Sequence, residues 1–219
     1  MIAESPADSS ILFRVPQGAI SRKTTGGQHR ECPIQMTALQ GEEIMSNRIE
    51  IGMTSVPRRG MHHLGLGTHD MEATLDFYEN VLGFPARVCE IIEPETGGKI
   101  RHAFLDAGHG ELIAFMECNE VPGVEPGFDT GINRGLGIRG GLIHFAFKVL
   151  DEGELATRQA ELREKGVEIT DVVDHGWCKS IYFKDPNGLQ LEFCCLTTEL
   201  DATHTAARTS DTWTRWARR

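Results

Sequence analysis

The sequence predicts an α+β protein of two tandem βαβββ modules, their sheets curling into an open half-barrel around a cleft. Two internal matches predict it. Segment 62–73 (HHLGLGTHDMEA) repeats as 143–154 (IHFAFKVLDEGE), and 101–115 (RHAFLDAGHGELIAF) aligns without a gap on 179–193 (KSIYFKDPNGLQLEF). Self-similarity on this scale means one supersecondary unit used twice. Neither copy has enough strands to cover its own apolar face, so the two units must pair.

In each copy a His opens an alternating run that ends at an Asp, His63 to Asp70 and His144 to Asp151, with the same spacing. Alternation predicts a strand, and Asp then suits a helix N-cap. Glu154, at the third helical position after Asp151, comes close to a capping box. The first helix sets Met71, Leu75, Tyr78 and Leu82 on one face and ends at Gly83. The second uses Leu155 and Leu162 and ends at Gly166. Glycine past the last turn suits a left-handed C-terminal cap. The closing halves read strand, turn, strand, with Asp185-Pro186-Asn187-Gly188 as a strong turn signal. One further strand each, near 85–93 and 167–173, completes both units.

Five segments follow: an irregular or disordered extension over 1–58, a first module over 59–118, a Gly- and Pro-rich loop over 119–140, a second module over 141–197, and a tail over 198–219. The extension has no sustained period of 2 or 3.6, and Met45, Met53 and Met61 each offer an alternative start. The loop is too long for a tight connection, and such loops are usually functional or disordered, so it is expected to border the cleft. In the tail, Trp213 and Trp216 could dock an amphipathic turn.

A net charge of -10 argues against nucleic acid and anionic membranes as partners. No apolar run approaches the ~18 residues that span a bilayer. The first twenty residues lack a basic start followed by an apolar core, so no signal peptide is read. Cys32, Cys89, Cys118, Cys178, Cys194 and Cys195 show no CxxC spacing and read as reduced thiols of a cytoplasmic protein.

The alignment puts Glu192 where the first copy has Ala114, inside the core-like run LQLEFCC. A carboxylate buried there without a partner would be costly, and a metal or a tight hydrogen bond removes that cost. His63 and His144 hold equivalent points on the two first strands, so approximate two-fold symmetry would bring them across the cleft. A histidine on a strand is often just a satisfied core residue. Repeat-equivalence, and a carboxylate against an alanine, favour a metal. Two imidazoles and one carboxylate form the 2-His-1-carboxylate set suited to non-haem Fe(II), and Mn(II) fits too. His62 is expected to face the side opposite His63. His69, His102 and His109 have no repeat-equivalent partner and are expected at the surface or in loops.

HHLGLGTHDMEATLDFYENVLGF and HFAFKVLD with SIYFKDPNGLQLEF resemble the vicinal oxygen chelate superfamily over roughly 61–196. That group includes glyoxalase I, fosfomycin-resistance transferases, methylmalonyl-CoA epimerase, bleomycin-binding proteins and type I extradiol dioxygenases. The resemblance implies a divalent metal on His63, His144 and Glu192, and a small substrate chelating it through neighbouring oxygens. Glyoxalase-like isomerases carry a fourth carboxylate where this chain has Ala114; Glu111 and Glu117 are displaced by an odd number of positions and should point to the other face. Fosfomycin transferases share a tyrosine matched by Tyr182 but usually carry Thr and Arg where this chain has Gly65 and Asp201.

Extradiol dioxygenases share the triad and Tyr182, whose phenol there hydrogen-bonds a substrate oxygen. They also use an acid/base histidine that this chain replaces with Leu112, and His175 is the candidate substitute because imidazole shuttles protons near neutral pH. The resemblance thus implies an extradiol dioxygenase-like oxygenase acting on a catechol or related vicinal-oxygen compound. A glyoxalase-like lyase or isomerase, a thiol transferase and a non-catalytic binding protein remain as alternatives. A homodimer is compatible with the repeat, since two modules can pair within a chain or between chains.

Overall fold

Eight strands divide between two mixed four-stranded sheets, one per module, in a computed structural model that describes residues 60–210. Residues 61–210 belong to one compact unit. The expectations for 1–58 and for Trp213 and Trp216 lie outside the described residues.

In the first module β1 (His63–Gly67) runs parallel to β4 (Glu111–Asn119), which pairs antiparallel with β3 (Lys99–Gly108), and β3 with β2 (Ala86–Ile92). In the second module β5 (Phe145–Lys148) runs parallel to β8 (Gln190–Leu196), followed by β7 (Cys178–Lys184) and β6 (Val173–Asp174). Neither sheet closes into a barrel. The duplication holds to the residue. Phe104 pairs with Ala114 as Tyr182 pairs with Glu192, and Gly65 with Ala114 as Ala146 with Glu192.

The helix signals act as read. Asp70 accepts from Ala73 N at 2.9 Å, opening α1 (Met71–Asp76). The chain then widens into a π-helical turn, Phe77–Val81, which the periodicity did not reveal, and leaves through Gly83 at φ +77. A short second helix, α2 (Ile132–Gly135), lies in the inter-module loop. Asp151 accepts from Glu154 N at 2.9 Å to start α3 (Glu152–Glu164), which ends before Gly166 at φ +77. The Glu154 carboxylate reaches past Asp151 to Leu150 N (2.6 Å), so the box closes one residue early. The fourth strand of the second module is shorter than expected: β6 plus a single bridge from Ile169 to Phe183. The tail carries an exposed 3-10 segment, Ala202–Thr209.

Both modules share one core. On the first sheet Leu66 and Phe115 point inward, on the second Leu191 and Phe193, with Tyr78, Leu82, Leu155 and Leu162 from the helices between them. Tyr78 packs on Phe115 (ring centroids 4.9 Å), and Phe84 meets Phe147 edge-on at 5.0 Å. The Tyr78 hydroxyl donates to Asp185 in the predicted turn (3.2 Å), and Asn187 donates to Thr74 Oγ1 (3.1 Å). Asp185 also takes Leu189 N (2.8 Å), while Gly188 N closes the turn onto Asp185 O (3.0 Å). Burial, then the neighbouring Asp185, pushes the Tyr78 hydroxyl well above its ordinary value.

Tyr78→Phe tests this seam. Removing a buried hydroxyl bond of this kind costs about 1 kcal/mol at neutral pH. In the unfolded chain Tyr78 ionises near its ordinary value of about 10, whereas in the fold it stays protonated. Its contribution to stability is therefore complete below pH 10 and lost as pH rises beyond it. Denaturant titrations should show the variant less stable at pH 7 and declining less steeply above pH 10 than the native chain. Identical slopes for both proteins would rule the seam out as the source.

Candidate metal centre

Strand alternation sends Phe193 into the shared core and turns its neighbour Glu192 to the sheet's other face. Glu192 is nevertheless only 4% exposed. Its Oε1 accepts from Ser180 Oγ on β7 at 2.5 Å, and its Oε2 lies 3.1 Å from His144 Nε2. His144 sits one residue before β5. Its Nδ1 is 2.8 Å from Gly141 O, and because a carbonyl only accepts, Nδ1 carries the proton. With that proton in place, Nε2 presents the carboxylate oxygen with either a second proton or a lone pair. Two acceptors cannot rest at that distance unless a proton or a cation lies between them.

That donor set fits a divalent metal. Two donors each about 2.1 Å from one ion, at a right angle, stand about 3 Å apart. The hydrogen bond from Nδ1 to a backbone carbonyl is also how ligating histidines are oriented. The inter-module loop fixes the approach: Asn133 clamps Ile143, donating to its carbonyl (2.6 Å) and accepting from its amide (3.0 Å). Sequence reasoning missed Asn133 and Ser180, and only their spacing to Ile143 and Glu192 in a known register could have found them.

Tyr182 stands directly opposite Glu192 on β7, its ring 6.0 Å from that of His144. His175 Nε2 lies 3.0 Å from the Tyr182 hydroxyl, so these two residues do come together. Burial raises the Tyr182 phenol above its ordinary value. Beside them Glu168, Thr170, Lys184 and Gln190 line a cavity of about 300 Å³ with Tyr182.

His63 is not brought to this group within one chain. It starts β1 in the other sheet, exposed, with its Nδ1 2.8 Å from His62 Nδ1 and its ring edge-on to Phe104 at 5.4 Å. Among the described residues no group of three or more His, Cys, Asp or Glu is arranged to hold a metal. His62 does not face away from His63 as expected: it precedes β1, so strand alternation does not govern it. His102 is a second correction. It lies within β3, its side chain 12% exposed and 3.1 Å from Glu90, because the outward face of that strand is itself partly covered. His69 bonds Phe128 O in the loop (2.6 Å), and His109 occupies the β3–β4 turn at φ 53. Glu117, a possible fourth ligand by composition, is paired with Arg101 instead. The five described cysteines are free thiols, and no helix among the described residues is long and apolar enough to cross a membrane.

The family model described as Glyoxalase/Bleomycin resistance protein/Dioxygenase superfamily matches residues 60–193. The chain is similar to the putative ring-cleaving dioxygenase MhqA of Bacillus subtilis (strain 168): 29% identity over 137 residues, 61% of this chain and 39% of that protein. It is also similar to the iron-dependent extradiol dioxygenase of Rhodococcus jostii (strain RHA1), at 24% over 161 residues, 72% of this chain and 50% of that one. The chain thus spans half or less of the length of these curated relatives. Among solved structures, the integron cassette protein HFX_CASS4 from the mobile metagenome of the Halifax Harbour sewage outfall aligns at 25% identity and TM-score 0.44, covering 64% of this chain and 100% of that one. The family match takes in both modules together with His63, His144 and Glu192, and the chain belongs to the glyoxalase/bleomycin resistance protein/dioxygenase superfamily.

Proposed function

We propose that this protein is a metal-dependent oxygenase that opens the ring of a catechol or a related compound with neighbouring oxygens. The observation that carries the reading is the buried Glu192 carboxylate 3.1 Å from His144 Nε2, a donor pair that fits a divalent cation. Similarity to proteins named as ring-cleaving and extradiol dioxygenases supports the choice of reaction. His63, His144 and Glu192 would hold the ion, with Fe(II) favoured and Mn(II) also compatible. Such an ion supplies a Lewis-acidic template that draws the two substrate oxygens together.

The chain's own residues supply the proton chemistry. The Tyr182 hydroxyl gives its proton to His175 Nε2 as it takes the one a catechol releases, and then donates that proton in a hydrogen bond to the substrate oxygen. Ser180 holds one Glu192 oxygen, leaving the other for the ion. O₂ is the co-substrate, and both of its atoms enter the ring-opened product. Ala114 at the position equivalent to Glu192 leaves the first module without the extra carboxylate of the isomerase reading.

Two variants test the roles. Glu192→Ala should lose bound metal by trace-metal analysis, and retention at native stoichiometry would remove it from the ligand set. Tyr182→Phe should keep its metal yet lower kcat by about 10² or more, the usual scale of a positioned proton donor. The rate is read as oxygen uptake on a catechol panel after anaerobic Fe(II) loading. Native protein that binds metal but consumes no oxygen, while isomerising or conjugating a substrate, would replace the oxygenase reading with a glyoxalase-like or transferase one.

A further inference from the structure

We propose that Phe128 is a positioning residue for His144, acting through the stretch of the inter-module loop that links it to Asn133. The proposal deepens the metal-dependent reading above and rests on it. The first observation is steric. Gly67 closes β1, and a Cβ built there would lie 2.8 Å from Phe128 Cζ and 2.9 Å from Phe128 Cε2, a separation at which something must shift. Glycine within a strand weakens it and marks a point where another group comes close. Two residues on, the His69 ring meets the Phe128 ring at 4.6 Å between centroids, and His69 Nε2 donates to Phe128 O at 2.6 Å. The duplication supplies the comparison. At the repeat-equivalent points the second module carries Lys148 and Leu150, both exposed, so the fold itself asks for neither a glycine nor a histidine there. Gly67 and His69 differ because they receive the loop.

From Phe128 the chain reaches Asn133 five residues later, and hydrogen bonds hold the stretch between. Asp129 takes Gly131 N (2.9 Å) and binds the Arg134 guanidinium through two bonds of 2.6 Å each. Thr130 Oγ1 donates to Asn187 O (2.9 Å), which fastens the loop to the turn between β7 and β8. Gly131 O accepts from Gly135 N (2.9 Å), closing α2 around Asn133. Asn133 is buried and divides its amide between the two main-chain groups of Ile143, the residue before His144. A side-chain amide offers donor and acceptor together, which that clamp requires. The Gly141 carbonyl that orients the His144 ring lies in the same segment. The ladder between β5 and β8 begins only at Phe145, so strand pairing does not fix the main chain of His144. Displacing Phe128 therefore lets the loop shift, and with it both the Ile143 clamp and the carbonyl that aims the imidazole. Ligating histidines depend on outer partners of this kind.

The test uses the full-length chain and Co(II). Its dissociation constant is read by competition with a chelating dye, and its visible spectrum reports the coordination sphere. Phe128→Ala should bind Co(II) about tenfold more weakly than the native chain and alter the spectrum. Asn133→Ala should weaken binding about 10- to 100-fold, the scale of a lost outer partner. Gly67→Ala, which pushes the ring away from the other side, should weaken it too. The double variant Gly67→Ala/Phe128→Ala should then bind no more weakly than Phe128→Ala alone, because two residues in contact are not additive. Leu162→Ala, a truncation in the core, controls for lost stability: it should lower Tm without moving the Co(II) constant or spectrum. Folded Phe128→Ala with native Co(II) affinity and spectrum would overturn the proposal, as would full additivity of the Gly67 and Phe128 effects. A native chain that binds no Co(II) sinks the metal-dependent reading itself, and the positioning role with it.

Discussion

Side-chain alternation along a strand ties the core and the site together. Each residue that enters the common core between the sheets fixes its neighbour on the other side. Phe115 inward means Ala114 outward; Phe193 inward means Glu192 outward. A slip of one residue in the second sheet's ladder would turn Glu192 into the core and expose Phe193. The hydrophobic effect that buries Tyr78, Leu82, Leu155 and Leu162 therefore also sets the aim of the carboxylate, with no contact between the two groups. The turn at Asp185 joins these tasks. It connects β7 to β8 in the register that sets Tyr182 opposite Glu192, and it receives the hydroxyl that anchors the first helix region.

The site depends in turn on desolvation. At 4% exposure Glu192 has little water to solvate its charge, so Ser180 and His144 must do so. Ser180 satisfies one oxygen as a plain hydrogen-bond donor. The contact to His144 Nε2 needs a proton or a cation between the two atoms, while Gly141 O holds the ring's other nitrogen. The loop that supplies Gly141 also supplies Asn133, which locks Ile143 immediately before the imidazole. The long Gly- and Pro-rich connection is thus held by hydrogen bonds where it meets His144.

Much of this was legible in the sequence where the signal is local. Asp70 and Asp151 read as caps, Gly83 and Gly166 as stops, and the Asp-Pro-Asn-Gly turn as a hairpin, because each reports on a few adjacent bonds. The gapless match of the closing halves anticipated that both modules share one hairpin register, seen in the pairs Phe104–Ala114 and Tyr182–Glu192. What stayed hidden depends on distant partners. A period of two says that one face of a strand is buried but not which face of the other module it meets, so the separation of His63 from His144 within one chain could not be read. The π-helical turn, the Asn133 clamp and the Ser180 bond were hidden for the same reason.

The two copies differ in character on their outer faces more than in their core. Inward positions stay apolar in both, and Phe115 and Phe193 occupy equivalent points in one core. Outward, Phe104 faces Tyr182 in the alignment, Ala114 faces Glu192, and Met116 faces Cys194, each hydrophobic residue of the first module replaced by a more polar or more reactive one in the second. His63 and His144 are the exception, a polar residue kept in both. Packing alone does not require that pattern, since one module shows that the same backbone tolerates an apolar outer face.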